Sequence, residues 1–402
     1  MSKGWVVLLL WVIVLHVPVP VHAEQCACTV PSDQQEWKPI EPGLDYLVFQ
    51  RKASKGVPAV YVHVLRVVLG SQFTLRSLRP LGRSLRLEDV VKHFIEGAVD
   101  VVASVNGDYF SFLAREKDPL GLHISGGQVL WFPASTTSLL VTRSNRVIMD
   151  RVKMTQELRF GTSTIPISGA NRPAEGDEVI LYSGYYDESV PPHPRCLALV
   201  LTRSSLSVMT QSRIHLQVSH VVSGKRKVDL KPSDLAVVGC GSSMVRLREI
   251  QENDPVSIST MLEGLDQPVL EAISGGPRIL RDGKVVDEIA KEGFSLSLRR
   301  YLPRAHPRTA VGVSADGGVA FLLVGEGRVS RSQGVSAADT ACILRDVGAS
   351  DAMLFDGGGS AAMYLKGKIL NKPHEKRNHT VRTVANALSV VRRISTREAT
   401  KD

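Results

Sequence analysis

The residues best suited to chemistry in this 402-residue chain stand where apolar runs end abruptly. Ala352-Met353-Leu354-Phe355 runs straight into Asp356-Gly357-Gly358-Gly359-Ser360. The apolar run reads as a buried strand and the glycines as its end. A carboxylate at the end of a buried strand is costly unless it has a partner or a task. Three glycines strip side chains from the turn, so an anion can lie against backbone N–H groups. Val99 to Val105 ends in the same manner, at Asn106-Gly107-Asp108-Tyr109-Phe110. Asn-Gly-Asp alone is an ordinary turn signal, yet Asn and Asp at a strand mouth also orient hydroxyls or coordinate a cation. Arg308-Thr309 opens another strand, and Val319 to Val324 ends at Gly325-Glu326-Gly327-Arg328.

Together these give three candidate carboxylates, Asp356, Asp108 and Glu326, a fixed cation in Arg308, and the donors of the Gly357 to Gly359 backbone. Such a set suits cleavage of a glycosyl phosphate. Phosphate is a good leaving group that arginine and N–H donors neutralise. A carboxylate can attack the anomeric carbon or activate water. Other chemistries lack their residues. There is no Walker A loop, no GxGxxG after a strand, no HExxH and no paired CxxC. Ser360 sits in Gly358-Gly359-Ser360-Ala361-Ala362, which fails the G-x-S-x-G elbow. His63, inside a strand pattern, reads as structural. His374 and His379 flank Glu375 in a Pro/Asn/Lys-rich loop and read as surface residues. No cofactor is expected; the metal site the pattern suggests is calcium held by Asp108, Asp356 and carbonyls.

These residues need elements to hold them. Leu44 to Phe49, Val60 to Val67 and Phe73 to Leu78 alternate as strands, and Leu87 to Ala98 has helical spacing. Gly126-Gly127 reads as a two-residue hairpin turn. Residues 135 to 260 read as short strands with no long helix. Ser336 is a helix N-cap with Asp339 as its partner three residues on, and Val347-Gly348 ends that helix. The resulting strand–helix–strand unit predicts parallel neighbours, Phe321 beside Leu354, with Glu326 and Asp356 on one edge. Met363 to Asn371 reads as a hairpin and Val384 to Val391 as the last strand. The predicted fold class is α/β (α+β mixed): strand-rich, a mixed sheet flanked by helices, with a β-rich subdomain at about 160–262.

Composition bounds the setting. The chain is long enough for a sizeable core. Its 5% aromatic content argues against a surface of stacking platforms. Residues 1–23 read as a signal peptide: Lys3, an apolar run from Trp5 to Val17, and Val21-His22-Ala23 at the cleavage site. An uncleaved anchor is the alternative, though the run is short and broken for a membrane span. The expected location is therefore secreted or extracytoplasmic, in the cell envelope. Residues 24–43 read as an extended lead-in, 44–393 as the main domain and 394–402 as a tail. The net charge of +9 fits an anionic partner, but scattered basic residues do not suggest nucleic acid. Of five cysteines at least one is unpaired or pairs between chains. A Cys26–Cys28 bond is not expected, and Cys342, in an apolar helical pattern, reads as a buried inert thiol.

A family resemblance enters on several segments in order: Ser104 to Phe110, Gly121 to Val129, Ser274 to Lys284, Pro307 to Val319, Leu354 to Asn371 and Val381 to Val391. Ile167 to Tyr186 adds a further segment. Over about residues 40–393 the sequence resembles the phosphodiester glycosidases. The resemblance implies an exported hydrolase that cleaves the bond between a sugar's anomeric carbon and a phosphodiester, of the N-acetylglucosamine-1-phosphodiester type. Its substrate would be a glycosyl phosphodiester or another anionic glycan. The resemblance implies a pocket containing Asn106, Asp108, Arg308, Thr309, Asp356, Gly357, Gly358, Ser360 and Asn371, to which Gly107, Gly359 and Arg382 are added. Glu326 departs from the Asp more usual there, and Val381-Arg382-Thr383 from the more usual arginine-proline. Arg308 with the glycine backbone would hold phosphate. Asp356 with Asp108 or Glu326 would form the acid–base or nucleophilic pair. Retention versus inversion stays open. The competing reading is a non-catalytic exported binder of anionic cell-wall or capsular polymer.

Overall fold

A computed structural model describes residues 26–393, except 56, 81–83, 111–117, 133–135, 185–188, 204–208 and 372–381. The signal-peptide reading, the tail and the His374 to His379 loop lie outside the described residues.

Two sheets position the site. The first has eight strands in the order Lys38–Glu41, Leu44–Arg51, Val60–Val68, Val319–Gly325, Arg308–Val313, Asp351–Leu354, Arg278–Arg281 and Lys284–Val285. Val60–Val68 and Val319–Gly325 are central and rich in valine and leucine, and burial on both faces explains their near-continuous apolar runs. The second has five strands in the order Lys368–Ile369, Met363–Leu365, Val101–Asn106, Ala387–Arg392 and Phe73–Leu78. Val105, Leu388, Val311, Met353 and Phe355 share one apolar core between the two sheets. Each such fully buried side chain contributes about 1.5–3 kcal/mol. This packing brings the Asn106 end of one sheet against the Phe355 end of the other.

The predicted helix-flanked α/β fold is not what forms. Paired strands are antiparallel in every sheet of the described residues, apart from Gly169–Ala170 beside Val179–Ser183. The described residues hold only four α-helices, of six to ten residues each. The strand–helix–strand unit shows why. Its helix, Ala337–Asp346, is capped by Ser336, whose Oγ accepts from the Asp339 N–H at 3.0 Å. Yet the two strands it joins are not neighbours. The Asp316-Gly317-Gly318 turn folds Arg308–Val313 back as an antiparallel partner of Val319–Gly325, with Arg308 opposite Gly325. That strand then takes the place beside Asp351–Leu354, Ala310 facing Leu354. The Phe321 and Leu354 strands thus run in one direction with a third strand between them. The start of Arg308–Val313 lies on the same edge as their ends.

Residues 154–262 supply another eight-stranded sheet. A further five-stranded sheet has the order Gln128–Trp131, His123–Ser125, Val269–Ser274, Ser138–Thr142 and Val147–Asp150. Its first two strands are joined through Gly126 and Gly127, both at positive φ as a tight two-residue turn requires. Leu122, Ile124 and Leu140 pack with Leu158, Leu181 and Val237 in a core common to these two sheets. Cys196 and Cys240 face each other directly on paired strands and are joined by a disulfide.

The lead-in is held more firmly than its sequence suggests. Cys26 forms a disulfide with Cys342, which corrects the reading of Cys342 as an inert thiol. The helix Ala337–Asp346 turns this face toward the lead-in rather than only into the core. Its carboxylates hold the same segment: Asp339 accepts from the Cys28 N–H at 2.7 Å and Asp346 from the Val30 N–H at 2.9 Å. Cys28 is the free cysteine, and burial pushes its thiol up to about 11. No helix among the described residues is long and apolar enough to cross a membrane.

Candidate active site

Asn106 builds the site. It ends Val101–Asn106, is fully buried, and uses both ends of its amide. Its Nδ2 donates to the Asp356 carbonyl at 2.6 Å. Its Oδ1 accepts from Thr309 Oγ1 at 2.7 Å and from the Ala362 N–H at 3.1 Å. One side chain thereby ties together the ends of three strands. Gly107 completes the junction, accepting from the Asp356 N–H at 3.0 Å. A Cβ on Gly107 would stand 2.4 Å from Asn386 Oδ1 and from Ile273 Cδ1, so the close approach requires glycine.

Asp108 and Asp356 come together at this junction. Asp108 is 2% exposed, and its two oxygens accept from the Tyr109 N–H at 2.7 Å and the Gly121 N–H at 2.8 Å. Burial, reinforced by the negative charge of Asp356 and opposed by those N–H groups, pushes its carboxyl up to about 7. Near neutral pH it therefore exists in both forms, as an acid–base group requires. Burial first, and then Asp356, keeps the neighbouring Tyr109 phenol protonated. That hydroxyl donates to the Gly276 carbonyl at 2.8 Å.

The turn after Asp356 is only partly the bare cradle expected. Gly358 adopts φ +65°, and its N–H donates to Pro307 O at 2.9 Å. The Ser360 N–H is turned back onto Gly357 O. The N–H groups of Gly357 and Gly359 remain as the donors with no backbone acceptor among the described residues. Ser360 is buried, and Arg382 Nη1 lies 3.4 Å from its Oγ. Asn371 holds the exit of the turn, accepting from the Met363 N–H and donating to Ala361 O.

Two expected roles shift. Arg308 is 4% exposed, and its guanidinium holds carbonyls: Nη2 reaches those of Tyr301, Leu302 and Arg304 at 3.0, 3.0 and 3.1 Å, and Nε that of Val335 at 3.3 Å. It fastens the end of the helix Leu296–Tyr301 rather than presenting a free fork. Glu326 belongs to another cluster. Arg331 holds both of its oxygens at 2.6 Å, and His63 Nε2 lies 3.2 Å from Oε1. Burial alone would raise this carboxyl, but the bonds from His63 and Arg331 take it down to about 2. Tyr46 Oη lies 2.6 Å from His63 Nδ1, on the side of the ring away from Glu326. Glu326→Gln is expected to cost about 1–3 kcal/mol of stability at pH 7. Because the folded carboxyl is depressed, that contribution is present above the ordinary carboxylate range and lost as pH falls toward 2. Thermal melts of both proteins at about pH 7 and about pH 3 check it: the gap in Tm should narrow at low pH.

Four functional candidates were not legible in the sequence. Arg328 approaches the glycine turn, its Nη2 lying 3.4 Å from where a Gly358 Cβ would stand. It also donates to Tyr301 Oη at 2.6 Å, and Tyr301 stacks on His306 at 3.7 Å. Tyr109, Phe294 and Tyr301 line a cavity of about 520 Å³ with Asp108, Leu298, Ser295 and Ser297. Low overall aromatic content thus conceals a local concentration. Glu292 anchors this wall, accepting from Thr137 and from the Arg278 N–H. Asp356 is not among the residues that line this cavity but adjoins it, its N–H donating to Gly107 O and its charge acting on the lining residues Asp108 and Tyr109. A cavity of about 720 Å³, lined among others by Arg278, Val286, Glu288, Arg299, Leu302 and Ala338, is lined by none of Asp108, Asp356 and Arg328. At the suggested calcium site each Asp108 oxygen accepts one backbone N–H. Among the described residues no cluster of three His, Cys, Asp or Glu residues is disposed to hold a metal.

Residues 213–391 match the phosphodiester glycosidase family. That stretch contains Arg308, Arg328, Asp356 to Ser360, Asn371, Arg382 and Asn386, whereas Asp108 lies outside it. An uncharacterized SPbeta prophage-derived protein of Bacillus subtilis (strain 168) is 39% identical over 66 residues, 16% of this chain and 10% of that relative. Two solved structures share the fold. A hypothetical protein from Synechocystis superposes with a TM-score of 0.69 at 17% identity, covering 89% of this chain and 64% of that one. A putative exported protein from Burkholderia pseudomallei K96243 gives 0.64 at 18% identity, covering 83% and 74%. The chain therefore spans less than two thirds of the first of these and a tenth of the prophage relative.

Proposed function

We propose that this protein hydrolyses the bond between a sugar's anomeric carbon and a phosphodiester. The observation that carries the reading is Asp108: a buried carboxyl raised to about 7, beside Asp356, at the floor of an aromatic-lined cavity. In this reading Asp108 in its acid form protonates the departing phosphate oxygen. Asp356 attacks the anomeric carbon or takes the proton of an attacking water. The bond from the anomeric carbon to oxygen breaks, the phosphate leaves as a monoester, and water supplies the new sugar hydroxyl. The Gly357 and Gly359 N–H groups, Arg328 and Arg382 neutralise the phosphate. Tyr109, Phe294 and Tyr301 offer faces to the sugar ring. The reading needs no metal. We further propose that the protein is exported; the two disulfides are compatible with an extracytoplasmic protein.

The test is release of free N-acetylglucosamine from N-acetylglucosamine-1-phosphodiesters. Arg328→Ala is expected to lower kcat/KM by about 10–100-fold, the value of one or two charge-assisted hydrogen bonds. Binding of several sugar phosphodiesters without turnover by the wild-type protein would replace the enzyme reading with that of an anionic-glycan binder.

A further inference from the structure

Behind Asp108 lies a buried polar chain that takes no direct part in the proposed reaction. The Asp108 N–H donates to Asn386 Oδ1 at 2.8 Å. A backbone N–H can only donate, so this bond fixes which end of the Asn386 amide is oxygen. Asn386 Nδ2 must then be the atom facing His123 Nδ1, 3.0 Å away. An amide nitrogen is a donor, so His123 Nδ1 is the acceptor and carries no proton. Ser77 Oγ, 3.0 Å from the same nitrogen, donates as well. The ring is therefore the neutral tautomer with its proton on Nε2, and Nε2 is buried without a hydrogen-bond partner among the described residues. Both Asn386 and His123 are fully buried. The Asn386 backbone carbonyl also accepts from the Gly107 N–H at 2.9 Å, so one residue grips two consecutive peptides of the Asp108 turn.

We infer that Asn386, oriented by His123, is a positioning residue that holds the Asp108 carboxyl in its place at the cavity floor. The inference rests on the reading of Asp108 as the acid–base group. The directional order is complete: Asp108 N–H to Asn386 oxygen, Asn386 amide to His123, Ser77 hydroxyl to His123. Protonating His123 would set two N–H groups against each other at Nδ1. Burial first, and then the Arg79 charge, hold the imidazole down at about 3, so the chain keeps its direction across the neutral range. The charged and titratable groups facing the two ends are Arg79 at His123, and Asp356 and Tyr109 at Asp108.

The experiment reads the Asp108 carboxyl directly. The full chain is labelled with carbon-13 at aspartate carboxyls, the Asp108 signal is assigned by its loss in Asp108→Asn, and its titration is followed. In the wild type the midpoint is expected near 7. Asn386→Leu and His123→Leu are expected to lower it by at least a tenfold change in proton affinity, because the loosened turn admits water. His123→Asn keeps an acceptor at the δ position and is expected to restore the wild-type midpoint. Asn386→Ala removes the same amide without introducing a larger apolar group; it is expected to lower the midpoint in the same way and covers failure of the leucine variants to fold. Unchanged midpoints in the folded variants overturn the inference. An inactive wild type with these shifts intact would instead count against the proposed reaction alone.

Discussion

Asp356→Asn is expected to lower kcat for sugar release by about 10²–10⁴-fold or more, the range for losing an acid–base group, with the fold intact. The fold is expected to survive because asparagine is isosteric and two contacts that place Asp356 are made by its backbone. Its N–H donates to Gly107 O, and its carbonyl accepts from Asn106 Nδ2. Asparagine keeps both and removes the charge. A second consequence separates this from simple damage. Asp356 is one of the groups that raise Asp108, so neutralising it should move the Asp108 midpoint below 7. The pH–kcat profile of the residual activity should then shift toward acid. Wild-type kcat in Asp356→Asn would remove Asp356 from the chemistry.

Much of the site could be read from strand ends, because an apolar run that stops at an acid or an amide is a local pattern. Asn106, Asp108 and Asp356 are visible in that way, Arg308 at the start of a strand instead, and the structure brings their backbones to one place. The capped helix was equally local: Ser336 and Asp339 lie three residues apart, and their bond needs no tertiary information. What failed was whatever depends on a partner distant in sequence. The strand–helix–strand pattern does not say that Arg308–Val313 will occupy the place between its two strands. Arg308 looks like an anion receptor until the carbonyls of 301–304 are seen around it. Glu326 looks like a third acid until His63, 263 residues away, is found against it. Cys342 and Cys26 are 316 residues apart, and no spacing rule pairs them. The aromatic cavity is of the same kind, since Tyr109 and Phe294 belong to separate segments that meet only through the fold.

Asp108→Asn is expected to reduce kcat by about 10²–10⁴-fold and to remove the basic limb of the pH profile. In the wild type, activity that needs protonated Asp108 should fall as pH rises through about 7. The asparagine cannot lose a proton, so whatever activity remains should be flat there. A substrate carrying a better leaving group on phosphorus should recover part of the loss, because it needs less help from an acid. The same group also leaves a mark on stability, with a sign that can be worked out. The folded carboxyl has a raised pKa, so between the ordinary value of 3.8 and about 7 the folded state binds more protons than the unfolded state. Stability from this group is therefore fully present below 3.8 and is lost as pH rises through 7. Glu271, pushed up to about 7 by burial despite Arg76 and two N–H donors, adds a slope of the same sign. Melting temperatures taken from about pH 4 to about pH 8 should decline, and Asp108→Asn should make that decline shallower without abolishing it. A decline of the same steepness in both proteins would show that Asp108 is not raised, and with it the basis for assigning it the acid's role would be gone.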